Sequence, residues 1–469
     1  MAGPLLNQTT MSSRQNLYDL GKNTMSPYSE EASKPPSNYI FRKTDADART
    51  PRLSRRTSVS VVEIPGTPSQ EEQDERRRSG SIVEKPHRDV ERQNARIQLS
   101  IRQRLHHFTW AWYTLTMSTA GYSTVLALQP HKFQGLDIIG SIFYVLNLIF
   151  FGLITLTMIA RFGLYQGDLR NSLYHEREGL FFPTFWLSLS TIISSTYRYV
   201  IASEATLEKK EIMLHGVAAI FWCYLACTLI LAIVQYSFLF ASHTYQLQKM
   251  MPSWLLPIFP VMLAGTIAST ICQDMDMDLP TKLPILVAGL SAQGLGFIVS
   301  IFMYAHMIGR LMQAGLPCRE HRPGLFICVG PPSFTALALI GMANALPDDF
   351  TMFGDPLIGK GAFRLVALLS AIFLWSLAFW WFFIAALAVI RAPPKYFHLG
   401  WWAMVFPNTG FTIATIAIGN ELNNESIKWF AGGMTIALGM MWLFVLVSQG
   451  LAVYRSDIMY PGRDEDVDD

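Results

Sequence analysis

Thr184, Ser188, Thr191, Ser195 and Arg198 follow one another at spacings of 4, 3, 4 and 3, which places all five on one helix face. A ladder of hydroxyls closing on a guanidinium suits a carboxylate or another oxyanion, because arginine presents a planar fork of donors and never deprotonates. An arginine near a span end also snorkels to headgroups, but its place at the end of a polar stripe favours an anion. Shorter stripes recur: Thr109, Thr116 and Ser123, with Ser118 and Thr119 beside them; Thr266, Ser269, Thr270 and Gln273; and Asn408, Thr412 and Thr415. Ser333 joins them as a candidate. Any one stripe alone could be hydrogen-bonding glue between helices. No carboxylate lies in the middle of an apolar span, whereas a cation path or proton relay would ordinarily carry one. Hydroxyls inside with basic residues toward the ends point to an anion. His107, His215, His306 and Arg364 are the candidates for exchanging an anion or proton at the mouths, histidine being the side chain that titrates near neutrality.

These residues sit on ten apolar spans, read at about 107–129, 138–160, 181–203, 213–238, 254–273, 283–309, 325–346, 364–390, 401–420 and 428–453. The odd spans hold 23 Ser and Thr against 11 in the even ones. They also hold Pro183, Pro257, Pro260, Pro331, Pro332 and Pro407, whereas the even spans have only Pro284. In hydrocarbon, hydroxyls and backbone groups freed by proline need partners, so broken polar helices belong inside the protein or along a water-filled path. The expectation is an all-α polytopic membrane protein: five hairpins, with an inner ring of odd helices lining a central pore and an outer ring of even helices facing lipid.

Composition agrees. The 469 residues are 51% hydrophobic and 15% charged, with mean hydropathy +0.26, which excludes an ordinary soluble protein. A net charge of +2 makes no case for nucleic acid. The five cysteines read as small apolar residues, not as a metal site or disulfide framework. Neither HExxH, GxSxG, Walker A nor a dinucleotide glycine motif is present, so no enzyme activity and no cofactor is expected. Residues 1–104 are Ser-, Pro- and Arg-rich without apolar period and read as a disordered cytoplasmic region. Their basic-serine clusters, Arg55 to Ser58 and Arg76 to Ser79, suggest phosphorylation. The transporter domain covers 105–454, and 455–469 is an acidic cytoplasmic tail. Nine Lys and Arg in one set of short loops, against six in the other, put both termini in the cytoplasm, and leave Asn7 and Asn424 unglycosylated.

The segments RLHHFTWAWYTLTMSTAGYSTVL (104–126), LFFPTFWLSLSTIISSTYRYV (180–200), PIFPVMLAGTIAS (257–269), VGPPSFTALALIGMANALP (329–347) and WWAMVFPNTGFTIATIAIGNEL (401–422) carry a further signal. Over about 100–455 the chain resembles the tellurite-resistance/dicarboxylate transporter family, and within it the fungal malic acid transport proteins. That resemblance implies plasma-membrane transport of C4-dicarboxylates such as malate, with protons or by exchange, commonly by a homotrimer. It also implies a phenylalanine gate in the ninth helix, for which Phe406 and Phe411 are the candidates. Ala120-Gly121 stands where the malic acid transporters tend to have paired glycines. A sulfite efflux protein or gated anion channel on the same fold is the alternative, and a membrane scaffold acting through its N-terminal region is a third class.

Overall fold

The computed structural model describes residues 99–242, 249–273 and 277–460, all within one compact unit, Val90–Asp469. The N-terminal region to residue 98, with its serine clusters, and the acidic end of the tail lie outside the described residues.

After a short helix α1 (Ile101–His106), long and short helices alternate. The short ones are α2 (Tyr113–Ala127), α6 (Pro183–Thr196), α8 (Phe259–Ile271), α10 (Gly330–Asn344) and α12 (Phe406–Glu421). The long ones are α3 (Leu136–Leu164), α7 (Leu207–Ala241), α9 (Leu279–Ala314), α11 (Lys360–Arg391) and α13 (Glu425–Arg455). Two short helices, α4 (Asp168–Tyr174) and α5 (Glu178–Phe181), connect α3 to α6. A two-stranded hairpin, β1 (Thr351–Met352) and β2 (Asp355–Gly359), precedes α11.

Among the described residues, eight helical segments are long and apolar enough to cross a membrane. At 15 and 14 residues, α2 and α6 are shorter than the expected first and third spans. Burial separates the two sets: the segments ending in α8, α10 and α12 are 94% buried across their most apolar stretch, and α3 is 17%. The short helices form an interior ring and the long ones a surrounding layer, as the uneven placement of hydroxyls and prolines implies.

The prolines do not interrupt the inner helices midway, as expected from the sequence; they mark where those helices start. Pro183, Pro260, Pro331, Pro332 and Pro407 all occupy the first turn of an α-helix, where a missing N–H costs little. 3₁₀ segments lead in to four of the five: Trp110–Trp112, Pro252–Ile258, Arg319–Val329 and Leu399–Met404. Proline still leaves an upstream carbonyl short of its N–H, and the outer layer supplies the donor. Tyr304 Oη donates to the Cys328 carbonyl at 2.7 Å, the group Pro332 would otherwise serve. Gln235 Nε2 reaches the Gly179 carbonyl at 2.6 Å, four residues before Pro183. Tyr236 Oη reaches the Trp254 carbonyl at 3.0 Å, three before Pro257. These bonds rivet the inner ring to the outer helices.

Beside α1, Arg161 in the last turn of α3 is buried rather than facing a loop. It pairs with Glu178 and Asp168 and donates to the Phe108 carbonyl at 2.6 Å.

Candidate functional site

Three cavities lie in a row along the interior ring. The first, about 30 Å³, is walled by all five inner helices: Gly121, Thr124 and Leu128; Ser190, Thr191, Ser194 and Arg198; Leu263, Thr266 and Thr270; Phe334 and Leu337; Phe406, Thr409 and Ile413. In each of these helices they lie at or beyond the residues that line the second cavity. The second, about 20 Å³, takes Thr114, Met117, Leu187, Leu256, Phe259 and Ala403 from their N-terminal parts. The five inner helices therefore run parallel, their N-termini converging toward one mouth, where helix dipoles favour an anion. Phe406 is the one residue lining both cavities. The third, about 50 Å³, shares Phe181, Ile327 and Gly400 with the second and ends at Arg177, Glu320, His321 and His398. No acidic side chain lines the first two.

Arg198 is carried on a π-helical turn, Tyr197–Ile201, that ends α6. The Ala202 N–H bonds the Tyr197 carbonyl at 2.8 Å, five residues back, and such wide turns recur at functional sites. Arg198 Nε is buried and has no hydrogen-bond partner among the described residues; across the cavity, the Thr266 hydroxyl is in the same condition. Most other hydroxyls of the cavity donate to their own helices: Thr124 to the Ala120 carbonyl at 3.0 Å, Ser190 to Leu187 at 2.8 Å, Thr191 to Ser188 at 2.8 Å, Thr270 to Thr266 at 3.0 Å and Thr409 to Phe406 at 2.6 Å. An entering anion thus meets the uncommitted Arg198 Nε and Thr266 hydroxyl and a ring of hydroxyls that must turn to reach it.

Of the sequence-derived candidates, Arg198, Thr191, Thr266 and Phe406 come together on this cavity. Several others do not. Ser188 bonds Thr116 at 2.6 Å and the Tyr113 carbonyl, and Ser195 bonds Thr124 at 3.2 Å, because that side of the α6 stripe faces α2. Thr119 accepts the Trp442 indole N–H at 3.0 Å, on the side of α2 turned to α13. Ser118 is buried away from the cavity lining. Ser269 packs against Gly341 of α10, and Ser333 bonds the Val329 carbonyl at 2.7 Å. Asn408 bonds Met404 O and Thr412 bonds Asn408 O within α12, off the cavity wall. Phe411 points the other way from Phe406, its ring 5.4 Å from Trp375 and 5.8 Å from Phe382 of α11. Phe406 instead stacks on Phe334 at 5.1 Å.

The mouth candidates disperse as well. Arg364 pairs with Glu421 at 2.9 Å. His215 caps back onto Glu211 O and is exposed, and His306 is exposed on the outer face of α9. His107 ends α1 with its ring against His106. Ser190, Ser194 and Thr409 were missed by the sequence stripes. A stripe identifies a polar face, but which edge of it borders the cavity depends on how the helix is rotated against its neighbours.

The family model described as "Voltage-dependent anion channel" matches residues 107–449. A malic acid transport protein of Schizosaccharomyces pombe is 34% identical over 376 residues, covering 78% of this chain and 83% of that protein. A sulfite efflux pump of Arthroderma benhamiae is 24% identical over 75% of this chain and 92% of its own. An uncharacterized transporter of Methanocaldococcus jannaschii is 22% identical over 76% and 97%.

Proposed function

Since the chain belongs to the SLAC1 voltage-dependent anion channel family, also known as the tellurite-resistance/dicarboxylate transporters, we propose that it moves C4-dicarboxylates such as malate across the plasma membrane. Members of this family handle anions, and the helices here are those of an integral multi-pass membrane protein. The observation that carries the reading is Arg198, whose buried Nε lacks a partner in a cavity free of carboxylates and walled by all five inner helices. One carboxylate of the substrate pairs with that guanidinium while the hydroxyls of Ser190, Thr191, Ser194, Thr266 and Thr409 rotate to the other oxygens. Such contacts are strong enough to admit an anion and weak enough to release it. The malic acid relative favours malate, succinate or fumarate, moved with a proton or in exchange.

At about 30 Å³ the cavity has room for one or two waters and none for malate, so the described arrangement is occluded. Phe406, stacked on Phe334, closes it toward the second cavity and is the gate of this reading. Ten spans, counting α2 and α6, with both termini cytoplasmic and three chains per assembly, complete it. A sulfite efflux protein or gated anion channel is the second reading. It is favoured by the sulfite efflux relative and by the lack of a carboxylate to couple protons in either inner cavity.

Purified protein in liposomes separates the two. Labelled malate uptake that rises with an inward proton gradient supports the transporter. Sulfite or chloride flux indifferent to that gradient, with no malate flux, supports the channel.

A further inference from the structure

The third cavity has a chemistry of its own. Arg177 enters it from the residue before α5, Glu320 and His321 from the lead-in to α10, and His398 from the residue before the lead-in to α12. Three separate chain segments thus bring one guanidinium and two imidazoles to one hollow of about 50 Å³, the roomiest of the three in the row. The arrangement is built rather than incidental. The His321 ring is fixed at both nitrogens, Nδ1 lying 2.8 Å from Cys318 Sγ and Nε2 3.5 Å from Arg177 Nη1. The His398 ring centre is 5.8 Å from that of His321. Glu320, the one carboxylate in the wall, accepts the backbone N–H groups of Lys395 at 3.1 and 3.2 Å and of Tyr396 at 3.2 Å. It thereby ties the α11–α12 connection to the cavity's rim.

We propose that this hollow is a second anion-binding site, taking one carboxylate or comparable oxyanion between Arg177 and His398, with His321, both of whose ring nitrogens are engaged, orienting the guanidinium. It rests on the transport reading for its physiological substrate but not for its binding chemistry. The row then has a guanidinium at each end, with the apolar narrowings at Phe406 and at Phe181, Ile327 and Gly400 between. A charged anion is held at one end, crosses the apolar stretch and is received at the other, the multi-site logic by which a passage both binds and releases. The planar fork of Arg177 suits a flat carboxylate better than a spherical ion.

The test is equilibrium binding of labelled malate, and of sulfite as a second probe, to the purified full chain. Wild type, Arg177→Gln, Arg177→Lys, Arg198→Gln and the double variant are compared, each first checked for an unchanged melting temperature and elution volume. The expected result is binding that survives Arg198→Gln and falls at least about tenfold in affinity when Arg177→Gln is added, the loss of one charge-assisted bond. Arg177→Lys should restore part of it. Binding abolished by Arg198→Gln alone and untouched by Arg177→Gln overturns the second site and leaves the central one standing. The reverse pattern keeps the second site and sinks the central one. Indifference to both substitutions, or no binding of either probe to wild type, overturns both. Should Arg177→Gln fail the folding check, His321→Asn is measured in its place with the same criteria.

Discussion

Among single residues, the interior divides by which side chains still have bonding capacity. Most hydroxyls of the inner helices spend it on their own backbone or on a neighbouring helix; Arg198 and Thr266 do not. Arg198→Gln is therefore expected to lower anion flux roughly tenfold or more, the worth of one charge-assisted hydrogen bond, with the melting temperature nearly unchanged. Ser188→Ala makes the contrasting case, because its hydroxyl joins α6 to α2. It should cost about 1 kcal/mol of stability, read by thermal unfolding, and leave flux largely intact. His398 carries a pH signature. Burial pushes its imidazole below the ordinary value, Glu320 opposes that shift and Arg177 adds to it. A histidine held neutral by the fold contributes stability that is present above the unfolded value near 6.5 and is lost as pH falls below it. Melting temperature should decline more steeply below that pH in wild type than in His398→Gln. The anion preference of the interior was legible in the sequence from hydroxyls without carboxylates. Which hydroxyls reach the cavity was not: Thr191 and Ser195 share one stripe, yet only Thr191 borders the cavity while Ser195 bonds Thr124.

At the scale of elements, proline sets the architecture in a way that a hydropathy profile does not reveal. Each inner α-helix except α2 starts at or beside a proline, and the carbonyls that Pro183, Pro257 and Pro332 leave short are served by Gln235, Tyr236 and Tyr304 of the outer helices. Reading proline as a mid-span break was natural, since the 3₁₀ lead-in and the α-helix together make one apolar run. Tyr304→Phe keeps the ring and removes the donor, so it should cost about 1–3 kcal/mol through an unsatisfied buried carbonyl, measured by thermal unfolding. The inner helices also approach closely where side chains are absent. A Cβ on Gly410 would come within 2.9 Å of the Phe334 ring, and one on Gly121 within 2.8 Å of Thr409 Oγ1. Gly121 sits beside Ala120, the position that departs from a glycine pair; Ala120 is fully buried, so the departure fills space on the side of α2 away from the cavity.

At the scale of the whole molecule, alternation of inner and outer helices was readable from composition alone, because hydrocarbon tolerates hydroxyls and prolines only where protein surrounds them. The row of cavities was not readable. It depends on five parallel helices meeting, and its narrowings are set by Phe406, Phe181 and Ile327, ordinary apolar residues in any profile. The cluster at Arg177, His321 and His398 escaped for the same reason, its members being more than 70 residues apart in sequence and joined only by the fold. The inner-end framework is held by Arg161 with Glu178 and Asp168. Glu178→Gln should cost about 1.5–3 kcal/mol, because it removes one of the two carboxylates that hold the buried Arg161 guanidinium, and should lower the yield of folded protein seen by size exclusion.

The central claim is that anions pass along this row and that Phe406 closes it. The most direct measurement is anion flux into liposomes for Phe406→Ala, Phe411→Ala and Phe406→Ala combined with Arg198→Gln, each against wild type. Flux raised about tenfold by Phe406→Ala, unchanged or reduced by Phe411→Ala and suppressed again by Arg198→Gln is the expected result, a tenfold step being about 1.4 kcal/mol of barrier. Flux through folded Phe406→Ala that equals wild type, or that ignores Arg198→Gln, would contradict a path between the inner helices.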